Sequence, residues 1–144
     1  MRALAVVALV LVAGCSYFGA QPEPRQRPPE GELWIDITNR SDESFEILQE
    51  GHGDTGGGSW ATRAEPCQAF RAGGTMERTW RILVDGKVVL DSEDLPGGVP
   101  GGGMQDVLVT LDIDPDGDVS VDGPVVGGGA PEDASRVPGC GEDG

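Results

Sequence analysis

Apolar and polar side chains alternate along much of the middle of the chain. Alternation over about four to eight residues, bounded by turn-forming residues, predicts β-strands with one buried face. The buried face of the first two predicted strands consists of these residues: Leu33, Ile35 and Ile37, then Phe45, Ile47 and Gln49. Residues 39–42 between the two strands are few and polar, so we expect them to form a tight connection between paired strands.

The dipeptide Asp85-Gly86 gives the clearest turn signal, because it separates two apolar runs that read as strands. A type I′ hairpin turn needs positive φ at both central residues, which Asp and Gly tolerate. A third hairpin is predicted around residues 114–117. Its two strands carry these apolar residues: Val107, Val109, Leu111 and Ile113 before the turn, and Val119 and Val121 after it.

Three hairpin-type pairs, a seventh strand between Trp60 and Phe70 and no helical periodicity predict an all-β fold. The expected architecture is a small antiparallel β-sandwich of immunoglobulin-like outline. Composition places this domain at residues 32–123, a length that suits one small domain. Residues 124–144 are rich in Gly, Pro and acidic side chains, so we expect them to form a loosely ordered tail.

The N-terminal segment begins with Met1-Arg2, continues as an apolar run and closes on Val12-Ala13-Gly14-Cys15. The run is shorter than the roughly 20 apolar residues of a membrane span. These residues resemble the signal sequence and lipobox of bacterial lipoproteins. The resemblance implies that residues 1–14 are a signal peptide and that Cys15 becomes the lipidated N-terminus. A plain secretory signal is the alternative.

The anchor implied by this resemblance places the protein at the extracytoplasmic face of the cell membrane, with the membrane as a partner. Residues 15–31 then form a linker that contains four prolines and holds the domain away from the lipid. Residues 35–42, 65–67 and 80–89 resemble, in general pattern, small domains of lipoproteins from high-GC Gram-positive bacteria. That resemblance implies a β domain outside the cytoplasm and brings no catalytic motif.

Acidic side chains dominate the charge, with 25 Asp and Glu against 10 Lys and Arg and a formal net charge of −15. A chain of this charge repels phosphate and lacks the basic patch that nucleic acids require. We therefore expect no nucleic-acid partner. Solubility alone explains such a charge, and a cation or a cell-envelope protein partner is also compatible with it.

Two cysteines remain if Cys15 carries the lipid, namely Cys67 and Cys140. An even pair in an oxidising compartment predicts a disulfide bond between them. A free reactive thiol or a redox pair is the alternative. The sequence offers no CxxC motif and no basic cluster near Cys140 that would lower a thiol pKa.

The run from Asp112 to Ser120 matches the first half of an EF-hand calcium loop. Its candidate ligands are Asp112, Asp114, Asp116, Asp118 and Ser120. The position where EF-hand loops place a bidentate Glu is Gly123, and the flanking segments alternate like strands. Two interpretations stay open: a weak calcium site, or a β-turn whose aspartates face water.

No residue is assigned a catalytic role, and we expect no enzymatic activity and no cofactor other than the calcium considered above. His52, the only histidine, lies in a Gly-rich loop without a recognisable hydrolase motif. Met76 and Met104 could join His52 and Cys67 in a copper site, but their spacing does not support one. Trp34 points away from Leu33, so it belongs either to the core or to a recognition patch.

Together these patterns predict a membrane-anchored extracytoplasmic lipoprotein with one small β-sandwich. The expected role of the β-sandwich is that of an interaction or structural module, because a tethered domain can perform such a role with its surface and without a chemical site. The alternative is a lipoprotein that binds a divalent cation or a small solute through the aspartate run.

Overall fold

The computed structural model describes residues 31–52, 59–75 and 79–141. Within these ranges the chain forms nine β-strands and two short 3-10 turns, at Ser92–Asp94 and Pro100–Gly103. The strands are β1 Glu32–Asn39, β2 Phe45–His52, β3 Ser59–Ala64, β4 Gln68–Thr75, β5 Thr79–Val84, β6 Lys87–Asp91, β7 Val107–Ile113, β8 Val119–Val126 and β9 Glu132–Arg136. Neither helical turn in these ranges has the length or the apolar character of a membrane span.

The strands form two sheets, a five-stranded one in the order β8-β7-β1-β4-β9 and a four-stranded one in the order β3-β2-β5-β6. All neighbouring strands are antiparallel except β1 and β7, which run parallel. The sheets pack face to face over a single apolar core. The predicted small β-sandwich is therefore confirmed.

The core forms where the inward-facing residues of both sheets meet. In β1 the predicted apolar face is buried, with Leu33, Ile35 and Ile37 at most 1% exposed. The same alternation buries the inward residues of β7 and β5. The remaining core residues are Phe45, Ile47, Ala64, Trp80, Ile82, Val84, Val107, Val109, Leu111 and Ile113. The period-two pattern therefore identifies the buried face of each of these strands.

The connection between β1 and β2 differs from the prediction, because these strands belong to different sheets and do not pair. Asn39 is fully buried at this corner. Its Nδ2 donates to the carbonyl oxygens of Glu43, Ala64 and Glu65 at 2.7, 3.2 and 3.0 Å, and its Oδ1 accepts from Ser41. The short polar link is thus a corner between sheets, held by one side chain, and the predicted hairpin is wrong.

The segment from Trp60 to Phe70 also differs from the prediction of one strand. It forms parts of two strands, β3 and β4, which lie in opposite sheets. Cys67 adopts a positive φ of 56° between them, and its backbone N donates to Ser41 at 3.2 Å. The turn formed by Glu65, Pro66 and Cys67 breaks the strand and moves the chain across the sandwich.

The two other predicted hairpins are confirmed. Strands β5 and β6 pair around Asp85 and Gly86, whose φ angles are 46° and 77°. Strands β7 and β8 pair around the turn at residues 114–118. In both cases the turn residues lie between apolar segments that pair as predicted, so local signals are enough to define the pair.

The chain beyond residue 123 is more ordered than the predicted loose tail. β8 continues through Pro124 to Val126, and Glu132–Arg136 form β9 at the far edge of the five-stranded sheet. Every residue of β9 is exposed, so the strand carries no apolar alternation that a sequence could reveal. Its place is set by pairing with β4 instead.

Residues 127–131 must pass from one edge of the five-stranded sheet to the other, since they join β8 to β9. Gly128 lies against Asp106 at the start of β7, and a Cβ on Gly129 would lie 2.6 Å from Nη1 of Arg71. These glycines allow a close approach to the outer face of the sheet. Trp34 lies on this outer face against Gly73 and is 8% exposed, so it is covered and forms no open recognition patch.

Candidate interaction surface

The predicted disulfide between Cys67 and Cys140 is present, with the two Cα atoms 5.4 Å apart. It joins the start of β4 to the segment that follows β9. Backbone contacts support the same junction: Val137 N donates to Cys67 O at 2.9 Å, and Arg136 Nη2 donates to Cys140 O at 3.3 Å. The disulfide therefore fixes the C-terminal strand to the body of the sandwich.

The aspartate run forms a turn in which the carboxylate of Asp114 accepts hydrogen bonds from the backbone. Asp114 Oδ1 accepts from the backbone N of Asp116 and of Asp118, both at 2.9 Å. Gly117 adopts a φ of 85°, a left-handed backbone conformation that favours glycine, and its N donates to Asp114 O at 3.0 Å. This hydrogen bonding is the pattern of a side-chain-stabilised turn.

The five candidate calcium ligands are not brought together as a ligand set. Asp112 and Ser120 face each other in the β7–β8 ladder, and Asp112 pairs with Arg40 at 3.1 Å. Among the residues that the structure describes, no group of three or more His, Cys, Asp or Glu side chains is placed to hold a metal ion. The geometry favours the turn interpretation over the calcium site.

The residues considered for copper or acid–base chemistry do not converge in the described part of the chain. Cys67 is in the disulfide and Met104 is 65% exposed. His52 ends β2, and its side chain lies outside the described residues, as does Met76. The described residues therefore assemble neither a copper site nor an acid–base pair from these side chains.

A groove of about 510 Å³ opens between the edge strands of the two sheets, β6 and β8, and we call it the edge groove. Its floor is apolar and made of Phe45, Val84, Val89 and Val119. Its other lining residues are Asp85, Lys87, Gly117 and Asp118. Its volume lies in the range of about 300–1,000 Å³ that is typical of ligand sites.

Two turns build the rim of the edge groove. Asp85 Oδ1 accepts from Glu46 N at 2.8 Å, which holds the β5–β6 turn against β2. Gly117 lies against the ring of Phe45 in the aspartate turn, so that turn closes over the end of the apolar floor. The rim thus presents the carboxylates of Asp85 and Asp118 beside the single cationic side chain in the lining, Lys87.

Two arginines of the sheet faces, Arg81 and Arg71, are paired with acidic neighbours. Arg81 Nη2 lies 2.7 Å from Glu50 Oε2 on the four-stranded sheet. On the other sheet, Arg71 donates to both carboxylate oxygens of Asp36, and this hydrogen bonding raises the pKa of Arg71 above its usual value. These ion pairs neutralise basic side chains on the sheet faces. Much of the excess of acidic side chains therefore lies at turns and edges.

No protein-family model, curated protein or solved structure matches this chain. Sequence patterns identified Phe45 and Val119 only as strand residues, because a groove between edges of opposite sheets has no local signal. The sequence features that lie at the groove are the two acidic turns, at residues 85–86 and 114–118, and neither turn alone indicates that the two lie beside each other.

Proposed function

We propose that the protein is a lipid-anchored lipoprotein of the extracytoplasmic face of the cell membrane, and that its β-sandwich is an interaction module. The lipobox residues Val12-Ala13-Gly14-Cys15 support the anchor. The disulfide Cys67–Cys140 supports the compartment, because structural disulfides persist where the environment is oxidising. The edge groove is the observation that carries the interaction role.

The groove lies at the end of the domain opposite the linker. β1 begins at Glu32, next to the linker, where Gly31 N donates to Gly103 O at 3.0 Å. It ends at Asn39, and the next residue, Arg40, donates from its N to Ile113 O beside the aspartate turn. A strand of 8 residues spans about 26 Å. An anchored domain would therefore present the edge groove away from the bilayer.

The partner that fits this groove is a basic, extended segment of another cell-envelope protein. Carboxylates outnumber the cationic group in the groove lining, and the whole chain has a net charge of −15. The apolar floor can contact the aliphatic stem of a basic side chain of the partner, or a valine next to that side chain in the partner. Both groove walls are edge strands, and edge strands can add a further strand through their free backbone groups.

A peptide titration of the mature protein in detergent micelles tests the interaction role. We expect a peptide of alternating Lys and Val to bind, and a Glu and Val peptide of equal length to fail. Asp118→Asn should weaken binding several-fold and reduce its salt dependence, because a rim charge is lost. Asp133→Asn, an exposed change on β9, is the matched control.

Equal binding of the two peptides, or equal effects of Asp118→Asn and Asp133→Asn, would contradict the proposed partner. The anchor is tested separately by fractionation of cells that express the full chain. Cys15→Ala should move the protein out of the membrane fraction, because each buried CH₂ of an acyl chain contributes about 0.8 kcal/mol to membrane binding. A Cys15→Ala protein that stays in the membrane would contradict the lipid anchor.

A further inference from the structure

Three polar side chains of the sandwich interior have buried atoms without hydrogen-bond partners among the residues that the structure describes, and we call them the polar core cluster. Gln49 is fully buried, and neither its Oε1 nor its Nε2 has a partner. The buried indole nitrogens of Trp60 and Trp80 are likewise unpartnered. The cluster combines three donor groups with one strong acceptor.

These three side chains lie on adjacent strands and on the same face. Gln49 of β2 is directly opposite Trp60 of β3 and Ile82 of β5. Trp80 lies two positions from Ile82 on β5, and is therefore the diagonal neighbour of Gln49 on the inward face. Opposite and diagonal pairs on one face lie about 5 and 7–8 Å apart, so the three side chains are neighbours on the inward face.

Each of the two indoles has a glycine as a neighbour. Trp80 is paired with Gly51, and Trp60 packs against Gly74 of the opposite sheet. A Cβ on Gly74 would lie 2.5 Å from Cδ1 and 2.7 Å from Nε1 of Trp60. The nitrogen edge of Trp60 is therefore turned into the interior, between the two sheets.

We propose that the polar core cluster is an internal binding site for a small neutral molecule that can both donate and accept hydrogen bonds, and that its occupant is an ordered water. The water accepts from the N–H groups of Trp60 and Trp80 and donates to Gln49 Oε1. Buried polar groups destabilise a fold unless they are bonded to protein or to water, and internal waters serve such groups. A charged occupant is disfavoured by the apolar surroundings, which include Ile47 and Ile82.

Water–protein cross-relaxation in ¹⁵N-labelled mature protein tests this site. The indole N–H signals of Trp60 and Trp80 should both show cross-peaks to a long-lived water, of the sign typical of a molecule tumbling with the protein. In Gln49→Met, which removes both polar atoms of that side chain at similar volume, these cross-peaks should weaken or vanish. Ile47→Met, the preceding inward position on β2, should leave them unchanged.

Absence of a long-lived water at both indoles, or unchanged cross-peaks in folded Gln49→Met, would overturn the proposal. If Gln49→Met does not fold, Trp80→Phe replaces it, because it removes one donor and keeps an aromatic ring. The cross-peak at Trp60 should then persist with the water still bonded to Gln49. The proposal would also be overturned if the Trp60 cross-peak disappeared in Ile47→Met and remained in Trp80→Phe.

Discussion

The disulfide between Cys67 and Cys140 joins residues separated by 73 positions in the chain. In the chain-entropy model, closing a loop of this length stabilises the folded state by about 4 kcal/mol, because the unfolded chain loses conformations. Typical domains have a total stability of only about 5–15 kcal/mol. The double variant Cys67→Ser/Cys140→Ser should therefore lose a large share of the stability of the sandwich.

The structure also indicates which part of the sandwich depends most on this bond. β9 is exposed along its length, and its pairing with β4 is irregular between Ala69 and Arg71. Besides the disulfide, the side-chain contacts of β9 include the ion pair of Arg71 with Glu132 at 3.4 Å and the hydrogen bond from Ser135 Oγ to Ala69 O at 3.3 Å. Exposed interactions of this kind each contribute about 0–1 kcal/mol. They cannot replace the covalent link.

Urea unfolding followed by tryptophan fluorescence measures the effect, with Ser135→Ala as the matched control on the same strand. The double serine variant should unfold with a free energy about 4 kcal/mol lower and a melting temperature about 20 °C lower. Ser135→Ala should change stability by less than about 1 kcal/mol. A double variant no less stable than the control would refute the reasoning that the loop closure stabilises the fold.

Asn39→Ala should cost about 3 kcal/mol in urea unfolding, because five hydrogen bonds are lost at a buried corner; a cost no larger than that of Ser41→Ala would contradict this. Gly73→Ala should displace the Trp34 ring and shift its emission to longer wavelength; an unchanged spectrum would refute the covered position of Trp34. Calcium should not raise the thermal stability, because the Asp114 carboxylate already accepts hydrogen bonds from the backbone; a saturable rise that Asp114→Asn abolishes would show a calcium site and contradict this prediction.

Local patterns in the sequence predict much of the sandwich. The period-two alternation of β1 and β7 identifies their buried faces, and Asp85-Gly86 identifies the β5–β6 hairpin. These features depend on interactions between residues close in sequence or on the burial of one face. Cys67 and Cys140 are also predictable as a pair, because the lipobox resemblance sets Cys15 aside and the two remaining cysteines then have a single pairing.

Long-range pairing explains what the sequence does not predict. The polar link after Asn39 has the composition of a hairpin turn, but the bonds of that side chain to Ala64 and Glu65 direct the chain into the opposite sheet. β9 is polar at every position and is recognisable only by its pairing with β4. The edge groove arises between strands of different sheets, so no single segment carries its signal.

The intact mass of the protein extracted from the membranes of a bacterium that expresses the full chain tests the lipid anchor most directly. The account predicts a mature chain that has lost residues 1–14, begins at Cys15 and carries the added mass of its acyl chains. Cys15→Ser should abolish both changes. A chain that keeps residues 1–14 unmodified, or one cut at another position and recovered without lipid in the soluble fraction, would contradict the account.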